Sequence, residues 1–310
     1  AGYFTGATGV TMYRGNAFPL EFHDNGFTGD AGGNLVHRKI IHPDGPGVKA
    51  ARPSDEQTVE FLASRDTWFR PVQFANGPDG ALYVIDMYRE IIEHPWSLPE
   101  QMKKHLDLNS GNDRGRIYRV VPDGFKRPGS PRLGDATIAQ LVATLENANG
   151  WHRDTAARLL YERHDKSAVP LLQTLVAKSS SPLARMHSLY ALDGLGALEV
   201  KAILIGLHDA DETVRAHAVK LSEKFLPDAS SQETLWPALR ALTDDPSIGV
   251  RYQLAFTLGE VKHPDRIKAL SEIVVRDASN SWMRAAALSS LADGSGTVSY
   301  THLALPTNRE

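Results

Sequence analysis

Four side chains between residues 86 and 113 carry oxygen atoms of the kind that bind a hard cation. Asp86, Asp107, Asn109 and Asp113 offer carboxylate and amide oxygens, which are the usual ligands of Ca²⁺ in proteins. Their spacing differs from that of an EF-hand loop, so the metal and its ligands stay undetermined. A role in turns and packing is favoured for Asp86, because Asp commonly hydrogen-bonds nearby backbone groups in turns.

Other kinds of site are excluded by composition. The 310 residues contain no cysteine, which excludes disulfides, thiolate zinc sites, cysteine nucleophiles and C-x-x-C-H haem attachment within this sequence. A net charge of −3 without a basic stripe argues against nucleic acid as the main partner. Four histidines share no metal-ligand spacing and are interpreted as surface or hydrogen-bonded core residues: His187, His208, His217 and His263.

An arginine recurs at steps of 32, 30, 36 and 33 residues in the C-terminal half. Such a series can form a ladder that binds a ligand, or it can tie neighbouring repeats together through loop aspartates such as Asp211 and Asp245. We favour the second interpretation, because one arginine per unit at a constant register is what a stacking contact requires. The five residues are Arg153, Arg185, Arg215, Arg251 and Arg284.

These arginines lie in segments with helical periodicity. Apolar or small residues recur three to seven places after each arginine, and a second helical segment, such as Glu199 to Leu207, follows in most units. The first helix is expected near Ile138, with Asp135 as its N-cap. A helix pair that recurs every 30 to 36 residues must stack on its neighbours to bury its apolar face. Residues 135–293 are therefore predicted to form a right-handed, HEAT-like α-solenoid.

Residues 1–122 have a different pattern, with short alternating or β-branched segments separated by turn signals such as Gly77-Pro78-Asp79-Gly80. This predicts antiparallel hairpins in the order found in β-propeller blades. The length suffices for two or three blades of about 40 to 45 residues, whereas a propeller has at least about four. The predicted fold class is thus β + α multidomain, with the last blades of a partial β-propeller followed by the solenoid.

The remaining segments are interpreted from composition. Residues 123–134 contain two prolines and three glycines and are predicted to be a linker. Residues 294–310 resemble the translation of a sequencing adaptor, so we expect them to be disordered and exclude them from fold reasoning. No apolar run approaches the length of about 18 residues that a transmembrane helix needs. The sequence starts without methionine or signal features, so we expect it to be a fragment.

Several segments of the first domain resemble one family closely. The segments 68–89, 92–99 and 106–119, together with 34–38 and 43–45, are similar to the membrane-bound dehydrogenases of planctomycetes and verrucomicrobia. That family joins a glucose/sorbosone-dehydrogenase-like β-propeller to HEAT-like repeats and a C-terminal cytochrome c domain with a haem-binding C-x-x-C-H site. The resemblance covers residues 1–293 and implies that this fragment, without its early blades and its haem domain, is inactive alone.

The resemblance also implies a cofactor and a site. Propellers of this type bind pyrroloquinoline quinone, often with calcium, and need a base near the alcohol and cations near the cofactor's carboxylates. By this resemblance, His37 and Arg70 are the catalytic candidates, and Arg38, Arg89 and Arg114 are the cofactor-binding candidates. For Arg70 and His37, packing roles are equally compatible with the sequence.

Two functions follow from these observations. The resemblance implies a periplasmic or membrane-associated enzyme that oxidises sugars or other alcohols and passes electrons to a fused cytochrome c domain, with haem c only in that absent domain. The solenoid would then be a spacer or a docking arm for a protein partner. The alternative is a non-catalytic propeller and solenoid scaffold that recognises polysaccharide or protein, because a fold alone does not establish an activity.

Overall fold

The computed structural model describes residues 4–129 and 131–291, which form two compact units. The first unit holds most residues up to 132 together with 147–154, and the second holds 43–47 and most residues from 133 onward. The expectation that residues 294–310 are disordered lies outside the described residues. Within the described part of the chain, no helix is long and apolar enough to cross a membrane.

The first unit contains two antiparallel sheets. The first sheet has the strand order β1-β2-β3-β4, with β5 paired to β3, and the second has the order β6-β7-β8. The sheets confirm the predicted hairpins, and within the described residues they do not close into a ring. The strands are β1 (Ala7–Met12), β2 (Asn25–Asp30), β3 (Leu35–Asp44), β4 (Gly47–Ala51), β5 (Leu62–Ala63), β6 (Pro71–Asn76), β7 (Leu82–Asp86) and β8 (Arg116–Val120).

Aromatic side chains fill the core of this unit. Tyr13 and Phe27 are fully buried, and the Tyr13 ring stacks on Phe18 with 4.7 Å between ring centroids. The Tyr13 hydroxyl donates to the Gly80 carbonyl (2.6 Å), so the core holds the hairpin turn between β6 and β7. In that turn Gly80 has φ +82°, and the Asp79 carboxylate accepts from the Ala81 amide, as the turn signal predicts.

The second unit is a two-layer helical array. Helices α5, α7, α9 and α11, which carry four of the five recurring arginines, each contact the next in one layer, and α4, α6 and α8 do so in the other. Residues 138–291 thus confirm the predicted α-solenoid of stacked helix pairs, and its right-handed sense stays a prediction. A short helix α1 (Glu100–Lys103) lies in the first unit, and the others are α2 (Ile138–Thr144), α3 (Gly150–Arg163), α4 (Val169–Lys178), α5 (Pro182–Gly194), α6 (Val200–Leu207), α7 (Glu212–Ser222), α8 (Ala229–Ala241), α9 (Ile248–Thr257), α10 (Arg266–Arg276) and α11 (Ser281–Ser289).

Helix starts are set by capping side chains. The first solenoid helix begins after Thr137, whose hydroxyl accepts from the Gln140 amide while the Gln140 side chain accepts from the Thr137 amide. The predicted cap Asp135 is therefore wrong by two residues. Helix α8 begins at Ala229, because the Asp228 carboxylate caps it by accepting from the Ser231 amide.

Candidate functional site

Three of the five recurring arginines pair with an aspartate of the next repeat, and we call this series of pairs the ladder. Arg215 donates from Nη1 to the Asp209 carbonyl (2.8 Å), six residues before it, and from Nε and Nη2 to the two carboxylate oxygens of Asp245 (2.7 and 2.9 Å). The same two-pronged pairing joins Arg185 to Asp209 and Arg251 to Asp277, at 2.6 to 2.8 Å. Bidentate arginine and carboxylate pairs fix both distance and orientation, so each pair sets the stacking of one repeat on the next.

Burial and charge show that the ladder is internal. The Asp245 side chain is 3% exposed, and its hydrogen bonds raise the pKa of Arg215 above the usual value. Burial opposes ionisation of Asp209, but the hydrogen bonds from Arg185 and the Asp211 amide outweigh it and lower the pKa of this carboxyl. The paired guanidinium groups are therefore charged and occupied by protein acceptors.

The predicted partners are confirmed in one case and wrong in the other. Asp245 pairs with Arg215 as predicted. Asp211 instead caps helix α7, because its carboxylate accepts from the Thr213 and Val214 amides. Asp209, two residues earlier in the same turn, is the partner of Arg185.

The ladder is incomplete at both ends of the described array. Arg153 donates from Nη1 to the Asn147 and Ala148 carbonyls, and its buried Nε has no hydrogen-bond partner within residues 4–129 and 131–291. Burial lowers the pKa of Arg153, and the charge of Arg14 adds to that effect. Arg284 donates from Nη1 to the Ala278 carbonyl (2.6 Å).

A second register of the same helices faces outward. The residue five places after the arginine is Tyr190 in α5, Lys220 in α7, Phe256 in α9 and Ser289 in α11. We call these four residues the outward row. All of them are exposed, and Phe256 keeps 37% of its surface accessible. The outward row thus presents aromatic, basic and hydroxyl groups on the side of the arginine helices that the ladder leaves unused.

A groove of about 510 Å³ follows the outward row across α7, α9 and α11. Phe256 forms an apolar part of its wall, and the Tyr252 ring meets the Phe256 ring edge-on, with 5.1 Å between centroids. The volume is within the range of small-ligand pockets. The groove is lined by Lys220, Glu223, Gln253, Phe256, Gly259, Glu260, Arg266, Ser289 and Ser290.

Charges in the groove are partly satisfied internally. Glu223 accepts from Lys220 Nζ (2.8 Å) and Thr257 Oγ1 (2.7 Å), and the hydrogen bond to Glu223 raises the pKa of Lys220. Lys220 is therefore a charged donor at neutral pH, not a base. Arg266 donates from Nη1 to the Gly259 carbonyl (3.3 Å), and Glu260 is exposed. The groove consequently offers both signs of charge beside an aromatic wall.

A smaller aromatic pair lies further along the same face. The Tyr190 hydroxyl is 2.8 Å from Nδ1 of His217, and the two rings meet edge-on at 5.5 Å. Burial lowers the pKa of His217 below its usual value. This half-buried imidazole is therefore neutral at pH 7, and it shares a hydrogen bond with the Tyr190 hydroxyl.

The structure places the catalytic candidate His37 inside the first unit. His37 lies on β3, is 5% exposed, and its Nδ1 is 2.6 Å from Oε2 of Glu60. Glu60 also accepts from Arg52 Nη2 (2.7 Å). Burial opposes ionisation of Glu60, but the hydrogen bonds from Arg52 and His37 outweigh it and lower the pKa of this carboxyl. His37 therefore fastens the segment before β5 to the sheet.

Its neighbour Arg38 points to the opposite face of β3, because side chains alternate along a strand. Arg38 is 4% exposed, and its Nη2 pairs with Glu56 (2.8 Å) while its guanidinium lies over the Phe22 ring at 4.3 Å. Arg38 Nε and Glu56 Oε2 are buried without partners among the described residues. The adjacency of His37 and Arg38 in sequence thus does not bring them to one site.

The other catalytic candidate, Arg70, is held by backbone acceptors. Its guanidinium donates to the carbonyls of Ala31 (2.8 Å), Arg89 (2.9 Å) and Glu90 (2.8 Å). The structure therefore brings Arg70 beside Arg89, but through the Arg89 backbone. The Arg89 side chain donates to the Asn109 carbonyl (2.9 Å). Both arginines act as fasteners of the loop that follows β7.

The remaining candidates are dispersed. Arg114 is 63% exposed and lies 3.7 Å from Asp113. Asp86 Oδ1 accepts from the Arg70 and Tyr88 amides, which fits the predicted turn role, and Asp107 accepts from the Asn109 amide. Over residues 4–129 and 131–291, no three His, Asp or Glu side chains are placed together to hold a metal ion. The possible calcium ligands therefore do not converge.

Comparison with known proteins gives two domain matches. Residues 1–124 match a domain of unknown function (DUF7133), and residues 138–223 match HEAT repeats. None of the curated proteins matches the chain. The second match confirms the predicted HEAT-like repeats.

Two solved structures are similar to parts of the chain. The complex of CpcE and CpcF of phycocyanin lyase from Nostoc sp. PCC7120 is 20% identical, covers 50% of this chain and 98% of its own, and has a TM-score of 0.42. A designed armadillo repeat protein in complex with the peptide (KR)4 is 19% identical, covers 50% of this chain and 81% of its own, and has a TM-score of 0.34. Similarity at this level establishes no shared partner.

Proposed function

We propose that this chain is a non-catalytic scaffold whose solenoid binds a protein partner through the groove at the outward row. The observation that carries the proposal is the division of labour on the arginine helices. The paired arginines of the ladder hold one repeat on the next. By contrast, the groove of about 510 Å³ that Lys220, Phe256 and Ser289 line has no role in packing the repeats. Stacked helical repeats provide extended surfaces of this kind for partner binding.

The lining predicts the chemistry of the partner. Phe256 and Tyr252 can receive an aromatic or aliphatic side chain, and an accessible aromatic anchor is typical of binding hot spots. Arg266 and Glu260 stand beside that anchor with opposite charges. We therefore expect a protein segment with one apolar anchor flanked by charged residues. This favours protein over polysaccharide as the ligand.

A peptide-display selection against the whole chain tests this function. The selected peptides are then measured by titration calorimetry against Phe256→Ala and against Leu171→Ala, a matched control on α4 that is 40% exposed and lies outside the groove. We expect Phe256→Ala to weaken binding about tenfold or more, as for a hot-spot residue, and Leu171→Ala to leave it unchanged. Peptides that bind both variants equally would contradict the proposed site.

A second function rests on the sequence resemblance, which supports a periplasmic or membrane-associated sugar or alcohol dehydrogenase that uses pyrroloquinoline quinone and calcium. The fit of the candidate residues to that cofactor is poor. Arg38 and Arg89 would hold its carboxylates, yet Arg38 pairs with Glu56 and Arg89 donates to the Asn109 carbonyl. The catalytic candidate Arg70 is likewise engaged by three backbone carbonyls. A quinone absorbance band and a thermal shift at saturating quinone and calcium would favour this enzyme. Their absence would favour the scaffold.

A further inference from the structure

The end of the array formed by α10 and α11 carries an arginine, Arg284, with two donors that have no carboxylate acceptor among the described residues. In α5, α7 and α9, Nε and Nη2 of the arginine donate to the carboxylate of an aspartate from the next repeat, at 2.6 to 2.9 Å. Arg284 has the same inner hydrogen bond, from Nη1 to the Ala278 carbonyl. Within residues 4–129 and 131–291, its Nε and Nη2 have no carboxylate partner.

The apolar neighbourhood of Arg284 is open as well. The residue four places after the arginine is fully buried in the preceding helices, where it is Leu189, Val219 or Ala255. The corresponding residue of α11 is Leu288, and it is 58% exposed. The position that a following repeat covers elsewhere is therefore uncovered at this end, in the same helix as the open guanidinium.

We propose that this end is a docking surface for a further helical repeat. Its occupant is defined by chemistry: a helix pair with an apolar facing side and an aspartate two or three residues before the N-cap of its second helix. Asp209 and Asp245 stand two residues before the caps Asp211 and Ser247, and Asp277 stands three before Asn280. The aspartate fills the guanidinium fork of Arg284, and the apolar side covers Leu288. This surface shares α11 with the groove, but its own residues Arg284 and Leu288 do not line the groove.

The docking surface can be tested by adding one more repeat copied from the chain. A copy of residues 259–291 placed directly after Leu291 puts a copied Asp277 26 residues after Arg284, the separation between Arg251 and Asp277. Hydrogen exchange of the α11 amides is compared with and without this copy. We expect exchange to slow about tenfold, since opening of a covered helix is coupled to its neighbour. Changing the copied aspartate to alanine, as the matched control, should remove most of the gain.

Two outcomes of this comparison overturn the proposal. One is an α11 that exchanges equally fast with and without the copy. The other is an alanine version of the copy that protects as well as the aspartate version.

A second variant needs no extension and is measured in the full chain. Arg284→Ala removes only the hydrogen bond to the Ala278 carbonyl and should lower the urea midpoint slightly, whereas Arg251→Ala also breaks a buried ion pair and should lower it clearly. If Arg284→Ala is as damaging as Arg251→Ala, the fork is already filled and the proposal fails. Sedimentation that shows dimers dependent on Arg284 would also overturn it, because the occupant would then be a second copy of the chain.

Discussion

Removing Arg251 should destabilise the solenoid far more than removing an arginine of an exposed ion pair. Arg251 and Asp277 are both buried, and Nε and Nη2 of Arg251 donate to the Asp277 carboxylate at 2.8 and 2.7 Å. Arg251→Ala deletes these two hydrogen bonds together with the donation from Nη1 to the Asp245 carbonyl, and it leaves Asp277 buried without its partner. Breaking one side of a buried pair costs about 3–5 kcal/mol, so we expect a loss in that range.

The matched control is Arg158→Ala in α3. Arg158 pairs with Glu162 one helical turn away at 2.8 Å, with side chains 60% and 49% exposed. Pairs of this kind contribute about 0.3–0.5 kcal/mol. Urea unfolding followed by far-ultraviolet circular dichroism gives the free energy of unfolding for both variants. The reasoning is refuted if Arg251→Ala loses less than about 1 kcal/mol, which is the scale of an ordinary substitution.

A double variant separates the cost of an orphaned charge from the value of the pair. Replacing Arg251 by Met and Asp277 by Leu removes both charges from the same buried site. Apolar replacement of a whole buried pair is often neutral or stabilising. The double variant should therefore recover most of the stability that Arg251→Ala loses. A double variant as unstable as the single one would show that the pair itself supplies the stability.

Three changes test the first unit by urea unfolding. Asp30→Asn removes a carboxylate whose pKa is lowered, because its hydrogen bonds from backbone N–H groups outweigh its burial. The stability that this carboxylate contributes is complete above the unfolded pKa of about 3.9 and is lost as pH falls through the lower folded pKa. The free energies of unfolding of wild type and variant should therefore converge in acid, and a difference that stays constant with pH would contradict this. Gly80→Ala should lower the free energy of unfolding more than Gly124→Ala. Both glycines have a positive φ, +82° and +74°, but the new methyl at Gly80 lies 2.2 Å from Asn16 Oδ1, whereas at Gly124 it has nothing within 4 Å. Equal losses of stability would contradict a steric cause. Arg70→Ala leaves three carbonyls without a donor and should cost about 2–3 kcal/mol, whereas unchanged stability would refute the fastening role.

Periodicity predicted the solenoid because one arginine per repeat and the spacing of apolar residues both report the same stacking geometry. It could not choose between Asp209 and Asp211, which share one turn. Their roles differ only in three dimensions, where Asp211 caps α7 and Asp209 meets Arg185. A better signal was present in the register, since Asp209 and Asp245 each lie six residues before an arginine.

The groove had no comparable signal in the sequence. The outward row contains Tyr, Lys, Phe and Ser at its four positions, so no residue type repeats. The role of Arg70 in the first unit could not be predicted from the sequence either. Its acceptors are backbone carbonyls, and one of them is 39 residues away in sequence. A carbonyl acceptor leaves no mark in residue types, and an arginine read as a cofactor ligand looks the same as one that fastens a loop.

The central claim, that the solenoid binds a protein partner at the groove, is tested most directly by mapping a bound ligand. Hydrogen exchange of the whole chain is measured with and without a saturating peptide selected by display. We predict that protection is confined to the groove residues of α7, α9 and α11, including the segment around Phe256. Protection in the first unit around His37 and Arg70 instead would contradict the account and favour a site on the sheets.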